Sequence, residues 1–403
     1  MKIVHICLGG GWYEKNSYQD QLLPHYHRSL GYEVTVIASQ NGRWNLDKGC
    51  YDKDTIPVRY LEDGIKLVRL RPALPLFLNT HVHLFYGMMK ALNQEKPDII
   101  FAHAIEILNY YDLPVYKKHH PSVKIVCDNH GDSLNSLHHW TSRLRAKWLG
   151  KGIIVKRLIP VVEWFYGTTP SRCDFLTKIY GVPKEKVQLL VMGADDDNMH
   201  IEQRDDIRMQ VRDEFGIKPN DFLIVTGGRF NKSKGGRIVE LLKAVGDIDN
   251  ENLKLLVFGP VSDDIKPIFD KYANDRIHFI GGIPSDKVYY YFYAADLVAF
   301  PGLHSVMWEQ AVASKVPCLF KKIDGFQHVD YDGNCILMEE DTANYYKTVI
   351  SSILGDSDLY KKMINKANSN ESTQFLYSNI AQKVINDVII KCDDKTCSDK
   401  FCY

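Results

Sequence analysis

Two cations bracket a short polar loop in the stretch VTGGRFNKSKGG that begins at Val225. Arg229 and Lys234 sit between two glycine pairs, just after an apolar β-branched run. At a strand end such a pair would neutralise a diphosphate; otherwise they are two solvated surface charges. Further on, DLVAFPGLHSVMWEQAVASKVP from Asp296 reads as strand, loop and helix, with Ser305 as the N-cap. The free amides of Val306 and Met307 would then suit a phosphate. Glu309, one turn in, would accept from a ribose diol, or is a glutamate favoured there by the helix dipole. Glu309 and Gln310 lie about 100° apart on a helix, so only one can face a ribose. A carboxylate accepts from both hydroxyls, which favours Glu309. Near the start, Gly9, Gly10 and Gly11 join a strand to a helix, either admitting an anion to the backbone at Gly10 and Gly11 or making a tight turn. The spacing is not GxGxxG, and Ile37-Ala38-Ser39 offers no acid for a ribose, so a dinucleotide site is disfavoured.

Short apolar runs and longer helical stretches must position these residues. In the first half the runs are Lys2 to Leu8, Glu33 to Ser39, Ile65 to Arg71, Asp98 to His103 and Lys124 to Asn129. In the second they are Phe222 to Gly227, Leu253 to Phe258, Ile277 to Ile280, Asp296 to Phe300, Pro317 to Phe320 and Cys335 to Met338. Continuous apolar strands alternating with helices predict parallel sheets covered on both faces. The pattern restarts at Phe222 after a polar stretch, which predicts two Rossmann-like, doubly wound α/β domains facing each other across a cleft. The expected domains are 1–195 and 196–370, with a C-terminal helix and tail over 371–403 that crosses back to the first.

The 403 residues carry 50 Lys+Arg and 50 Asp+Glu, a formal charge of zero that argues against a nucleic-acid partner. Residues 1–190 hold 25 basic and 17 acidic side chains, so the remainder hold 25 and 33, a first half at +8 against a second at −8. No run of 18 apolar residues occurs and the N-terminus lacks a signal-like apolar region, so the expected location is cytoplasmic. The nine cysteines lie mostly in apolar strands; the tail Cys392, Cys397 and Cys402 match no zinc spacing. No Asp-x-Asp stands at a strand end in the second half, so neither a metal nor another cofactor is expected.

Several stretches together resemble the retaining family 4 glycosyltransferases of the GT-B fold. They are TPSR from Thr169, YGVPKEKV from Tyr180, MGAD from Met192, GRFNKSKG from Gly228, VFG from Val257, IHFIGG ending at Gly282, AADLVAFP from Ala294 and DGNC from Asp332. HSVMWEQAV further resembles the bacterial capsule and surface-polysaccharide branch. The resemblance implies a nucleotide-sugar donor, UDP-linked, held by the second domain at Arg229, Lys234, Gly282 and the helix start. It implies a glycan or lipid-linked acceptor on the first domain. His130, in DNHGD from Asp128, matches the family's histidine and would touch the donor sugar. Arg229 and Lys234 would stabilise the leaving diphosphate, which takes the acceptor proton in a front-face displacement.

One departure concerns the family's two glutamates eight residues apart. Eight before Glu309 is Pro301 and eight before Gln310 is Gly302, so the first glutamate is missing, with His304 and Ser305 the polar residues that could replace it. The stretch 143–157 carries six cations, no acid and Trp148, which suits an anionic membrane surface or the solvated face of a packed helix. The rival readings are a sugar-nucleotide epimerase or phosphorylase, and a non-catalytic nucleotide-sugar-binding subunit.

Overall fold

The computed structural model describes residues 1–14, 18–45, 50–75, 78–79, 82–136, 146–231 and 236–393. Contacts divide the chain into two compact units, Met1–Val191 with the segment starting at Tyr377, and Met192–Leu376. In the first unit the strands are β1 Lys2–Cys7, β2 Glu33–Ser39, β3 Asn41–Asn45, β4 Cys50–Lys53, β5 Val58–Tyr60, β6 Lys66–Leu70, β7 Ile99–Ala102, β8 Lys124–Asn129, β9 Trp164–Gly167 and β10 Val187–Leu189. Eight of these described strands form one sheet in the order β10-β9-β8-β7-β1-β2-β6-β5, and β3 pairs with β4 alone. The edge pair β5–β6 is antiparallel, whereas the others in the large sheet are parallel.

The sequence alternation decides which side of this sheet each residue serves. Val4, Ile6, Ile100, Ala102, Ile125 and Cys127 join one core with the helix Met88–Glu95. Ile3, Phe101, Val126 and Tyr166 face the other way, under the helices Gln19–Ser29 and Tyr377–Asp393. The latter helix buries Tyr377, Ile380, Ala381, Val384, Ile385 and Val388, a stripe at steps of three and four. It is fastened as well as packed: Trp164 Nε1 donates to the Asp387 carbonyl (3.0 Å) and the Tyr166 hydroxyl to its carboxylate (3.1 Å).

The second unit holds β11 Phe222–Gly227, β12 Leu253–Phe258, β13 Ile277–Gly281, β14 Leu297–Phe300, β15 Cys318–Lys321 and β16 Cys335–Met338. Its described strands form a parallel sheet in the order β13-β12-β11-β14-β15-β16. Strand order therefore reverses between β11 and β14 here, and between β1 and β7 in the first unit. Ligands of open α/β sheets bind beyond the C-terminal ends of strands at such reversals. Both units are doubly wound Rossmann-like domains, the fold class expected from the alternating pattern. β3, β4, β9, β10 and the edge strand β5 are additions to the expected set.

Candidate functional site

Arg229 emerges at the C-terminal end of β11, beside the reversal. Its neighbours are fixed while it is not. Gly227 passes so close to Phe258 that a Cβ would lie 2.1 Å from the ring, and a Cβ on Gly259 (φ 120°) would lie 1.7 Å from the Gly228 carbonyl oxygen. Phe230 donates to Pro260 O (2.9 Å), accepts from the Ser262 amide (2.9 Å) and packs on Phe269. Between these anchors Arg229 is exposed, and no hydrogen bond or ion pair engages it among the described residues. Lys234 lies outside the described residues. Gly282, after β13, is exposed with open space where a Cβ would stand, so no local packing demands glycine there.

The other side of the reversal differs from expectation. The helix runs Met307–Ala313 with Val306 at its N-cap and no side-chain cap bond, so Ser305 does not cap it. Ser305 contributes its carbonyl instead, accepting from the Trp308 amide (2.9 Å). The first-turn amides of Val306 and Met307 stand where a helix offers no internal acceptor. Glu309 is 0% exposed, and its Oε1 accepts from His304 Nε2 and His328 Nε2, both at 2.8 Å. The expectation of a carboxylate presented to a ribose is thereby corrected: the helix turns Glu309 inward, beneath the loops that carry the two histidines. Burial by itself would raise its carboxyl, but the His304 and His328 imidazoles outweigh that and hold it at about 2. Its Oε2 is buried without a hydrogen-bond partner among the described residues. Gln310, next in line, is 5% exposed and donates to the Tyr289 hydroxyl at 3.5 Å, which also accepts from the Asp195 amide (2.8 Å).

His328 has no counterpart in the sequence reading. It lies on the short turn Gln327–Val329 after β15, held by Asn334 of the Asp332 to Cys335 stretch, whose Nδ2 donates to Val329 O at 2.9 Å. Phe326 packs on the His304 ring (centroids 4.9 Å apart). The donor atoms of His304, Glu309 and His328 lie within 4.8 Å of one another, a set that could hold a divalent ion. At 2.8 Å, however, the two nitrogen–oxygen contacts are hydrogen bonds; tetrahedral zinc at about 2.0–2.1 Å from each ligand would spread them to about 3.3 Å.

In the first unit, His130 stands on the loop after β8. Its Nε2 lies 3.3 Å from Asp128 Oδ2, and the Tyr18 hydroxyl lies 3.3 Å from its Nδ1. Arg172, from the TPSR stretch, fixes this loop by donating to Asp132 Oδ2 (3.3 Å) and Thr168 Oγ1 (2.7 Å). Asn129 Nδ2 donates to the Arg172 and Gly131 carbonyls. Two stretches noted separately in the sequence are thus one structure that aims His130. Asp128 is buried and accepts from the Ala104 amide at Oδ1 (2.8 Å) as well as contacting His103 at Oδ2 (2.7 Å). The glycine run is explained differently: a Cβ on Gly11 would lie 1.9 Å from the Gly42 carbonyl oxygen, so close packing of β3 requires that glycine, whereas Gly10 is exposed with open space around it.

A family model described as glycosyltransferase family 4 matches residues 18–198, and one described as glycosyl transferases group 1 matches residues 208–370. Between them the two matches, both to models described for glycosyltransferases, span most of the two units. Lipopolysaccharide glucosyltransferase WaaG of Escherichia coli is 26% identical over 222 residues, covering 52% of this chain and 58% of WaaG. Matched segments span only 48–61% of the curated relatives' lengths. Among solved structures, Anabaena Alr3699/HepE in complex with UDP superposes with a TM-score of 0.65 at 15% identity, covering 96% of this chain and 99% of that one. UDP-GlcNAc 2-epimerase from Neisseria meningitidis bound to UDP-GlcNAc does so at 0.61 and 14%, covering 97% and 100%. At such identities the structural likeness establishes the GT-B fold alone, which these glycosyltransferases and epimerases share. Among the described residues no helix is long and apolar enough to cross a membrane.

Proposed function

We propose that this chain transfers a sugar, with retention, from a nucleoside diphosphate donor, UDP-linked, to a glycan or lipid-linked acceptor in bacterial surface-polysaccharide synthesis. The observation that carries the reading is Arg229, an exposed guanidinium at the strand reversal whose neighbours on both sides are anchored. A diphosphate there gains charge as the glycosidic bond breaks, and a guanidinium carried on an anchored strand end can stabilise that charge. Lys234 adds a second cation from the same loop. The acceptor hydroxyl oxygen bonds to the anomeric carbon on the face the diphosphate leaves, and a diphosphate oxygen takes the hydroxyl proton. His130, aimed by Asp128, meets the donor sugar. With His304 Nε2 committed to Glu309, Ser305 becomes the residue of that pair left to replace the missing glutamate.

The stretch 143–157 is proposed to meet an anionic membrane surface. Arg143 and Arg145 lie outside the described residues, but Lys151, Ile153 and Lys156 are exposed while Ile154, Val155 and Leu158 join the core. Cations beside an exposed isoleucine suit a lipid headgroup layer. Calorimetric titration with nucleotides and nucleotide sugars tests the donor, and a panel without measurable binding would overturn the reading. Activity is expected to survive EDTA, because side chains and backbone amides supply the charge stabilisation. Loss restored by Mg²⁺ or Mn²⁺ would contradict that, and loss restored only by Zn²⁺ would assign an ion to His304, Glu309 and His328.

A further inference from the structure

A file of histidines crosses the first unit at right angles to its strands. His103 Nδ1 lies 2.7 Å from Asp128 Oδ2, His103 Nε2 lies 3.0 Å from His5 Nδ1, and His5 Nε2 lies 3.0 Å from His27 Nδ1. His27 Nε2 then lies 3.2 Å from the carbonyl of Ala381, on the helix Tyr377–Asp393. The path steps from the end of β8 to the end of β7 and on to β1, neighbours in the sheet, then rises into the helix Gln19–Ser29. His5 and His27 are 0% exposed, His103 is 3% and Asp128 is 0%. All six ring nitrogens are engaged, so turning any ring over would set carbon against a polar atom.

The protons can be counted. A carbonyl only accepts, and Asp128, which already takes the Ala104 amide and the His130 contact, accepts as a carboxylate. Four contacts lie between these two ends, and each needs one proton. Three neutral imidazoles carry three. Leaving one gap without a proton would set two lone pairs face to face in the interior, an unmade hydrogen bond with its full desolvation cost. We propose that this chain holds one proton more than three neutral imidazoles supply, that it resides on His103 as a buried imidazolium, and that this cation makes His103 a positioning residue that keeps Asp128 ionised to orient His130. The importance of His130 rests on the function proposed above; the proton count does not.

Neighbouring groups agree with this placement. Burial keeps His5 well below the usual imidazole range and His27 at about 4, so both stay neutral and the extra charge falls beside the carboxylate. Other titratable groups face the same spot. Asp20 comes from the helix Gln19–Ser29, its carboxyl raised by burial despite His103 and His130. Cys7 on β1, Cys127 on β8 and Tyr110 after β7 are all pushed well up by burial, hence neutral. The Tyr110 hydroxyl donates to the His103 carbonyl at 2.7 Å.

The test is ¹⁵N spectroscopy of the histidine-labelled full chain at pH 8. Among the signals assigned to His5, His27 and His103, wild type is expected to show one imidazole with both ring nitrogens protonated and two with a single proton on Nε2. In His27→Phe the chain ends at His5, two contacts remain for two imidazoles, and the doubly protonated signal should vanish. His27→Gln keeps an acceptor for His5 and a donor for Ala381, and should retain it. In His27→Phe the Asp128 charge is uncompensated, so the ring ¹⁵N signals of His130, which contacts that carboxylate, should move. A wild type in which none of His5, His27 and His103 is doubly protonated, or a His27→Phe protein in which His5 or His103 still is, overturns the proton count. Unmoved His130 signals overturn the positioning role. Should His27→Phe not fold, wild type and His27→Gln still decide the count, and Asp128→Asn, which can donate to His103 Nδ1, should lose the signal. Failure to bind nucleotides alongside the expected spectra would count against the proposed function alone.

Discussion

Arg229→Ala is expected to bind UDP roughly 5- to 150-fold more weakly, the loss of about 1–3 kcal/mol that follows removal of a charged hydrogen bond. Turnover should fall further, by about 10²–10³, if the guanidinium meets charge that grows in the transition state. Thermal stability should not change, because the side chain is exposed and unbonded among the described residues. Lysine at this position keeps the charge without the planar fork, so Arg229→Lys should recover part of the affinity. Calorimetry and initial rates read both quantities. Unchanged binding and rate in Arg229→Ala would make it an ordinary solvated cation.

Glu309→Gln is expected to act through stability and its pH dependence. The folded carboxyl sits at about 2, below its ordinary value near 4.5, so Glu309 stabilises the fold fully above about pH 4.5 and loses that contribution as pH falls through about 2. The shift corresponds to roughly 3 kcal/mol at neutral pH. The variant should be less stable than wild type at pH 7, and the difference should close on acidification from pH 4.5 to 2. Because His304 and His328 lose their common anion, donor affinity should fall as well. Urea titrations across that range provide the measurement, and a gap that stays constant with pH would show that the carboxylate charge is not what matters.

The strands were legible because a parallel sheet buried on both faces needs unbroken apolar runs, and KIVHIC, EVTVIAS and FLIVTG supply them. β10 has three residues, all half-buried, and β5 lies on an edge with two of three exposed, so neither leaves such a run. The polar networks were illegible for another reason. His5, His103 and Asp128 each look like a lone polar residue in an apolar strand, and only the order β8-β7-β1 sets them side by side. A clue was present: each falls at an inward position near its strand's end, on the same side as Ile3, Phe101 and Val126. Glu309 was misjudged because local spacing describes its helix, whereas the partner that completes its burial, His328, arrives from the loop after β15.

The return of the segment from Tyr377 to the first unit bears on how the protein is made. Met192–Leu376 is contiguous, so it can complete its sheet while the ribosome is still adding later residues. The first unit lacks part of the cover over Leu23, Phe101 and Tyr166 until Tyr377–Asp393 has been synthesised. Domains usually mature in the order of their synthesis. Here the order is inverted: the unit begun first is finished last, and a nascent chain stalled before residue 377 would expose an apolar sheet face to chaperones.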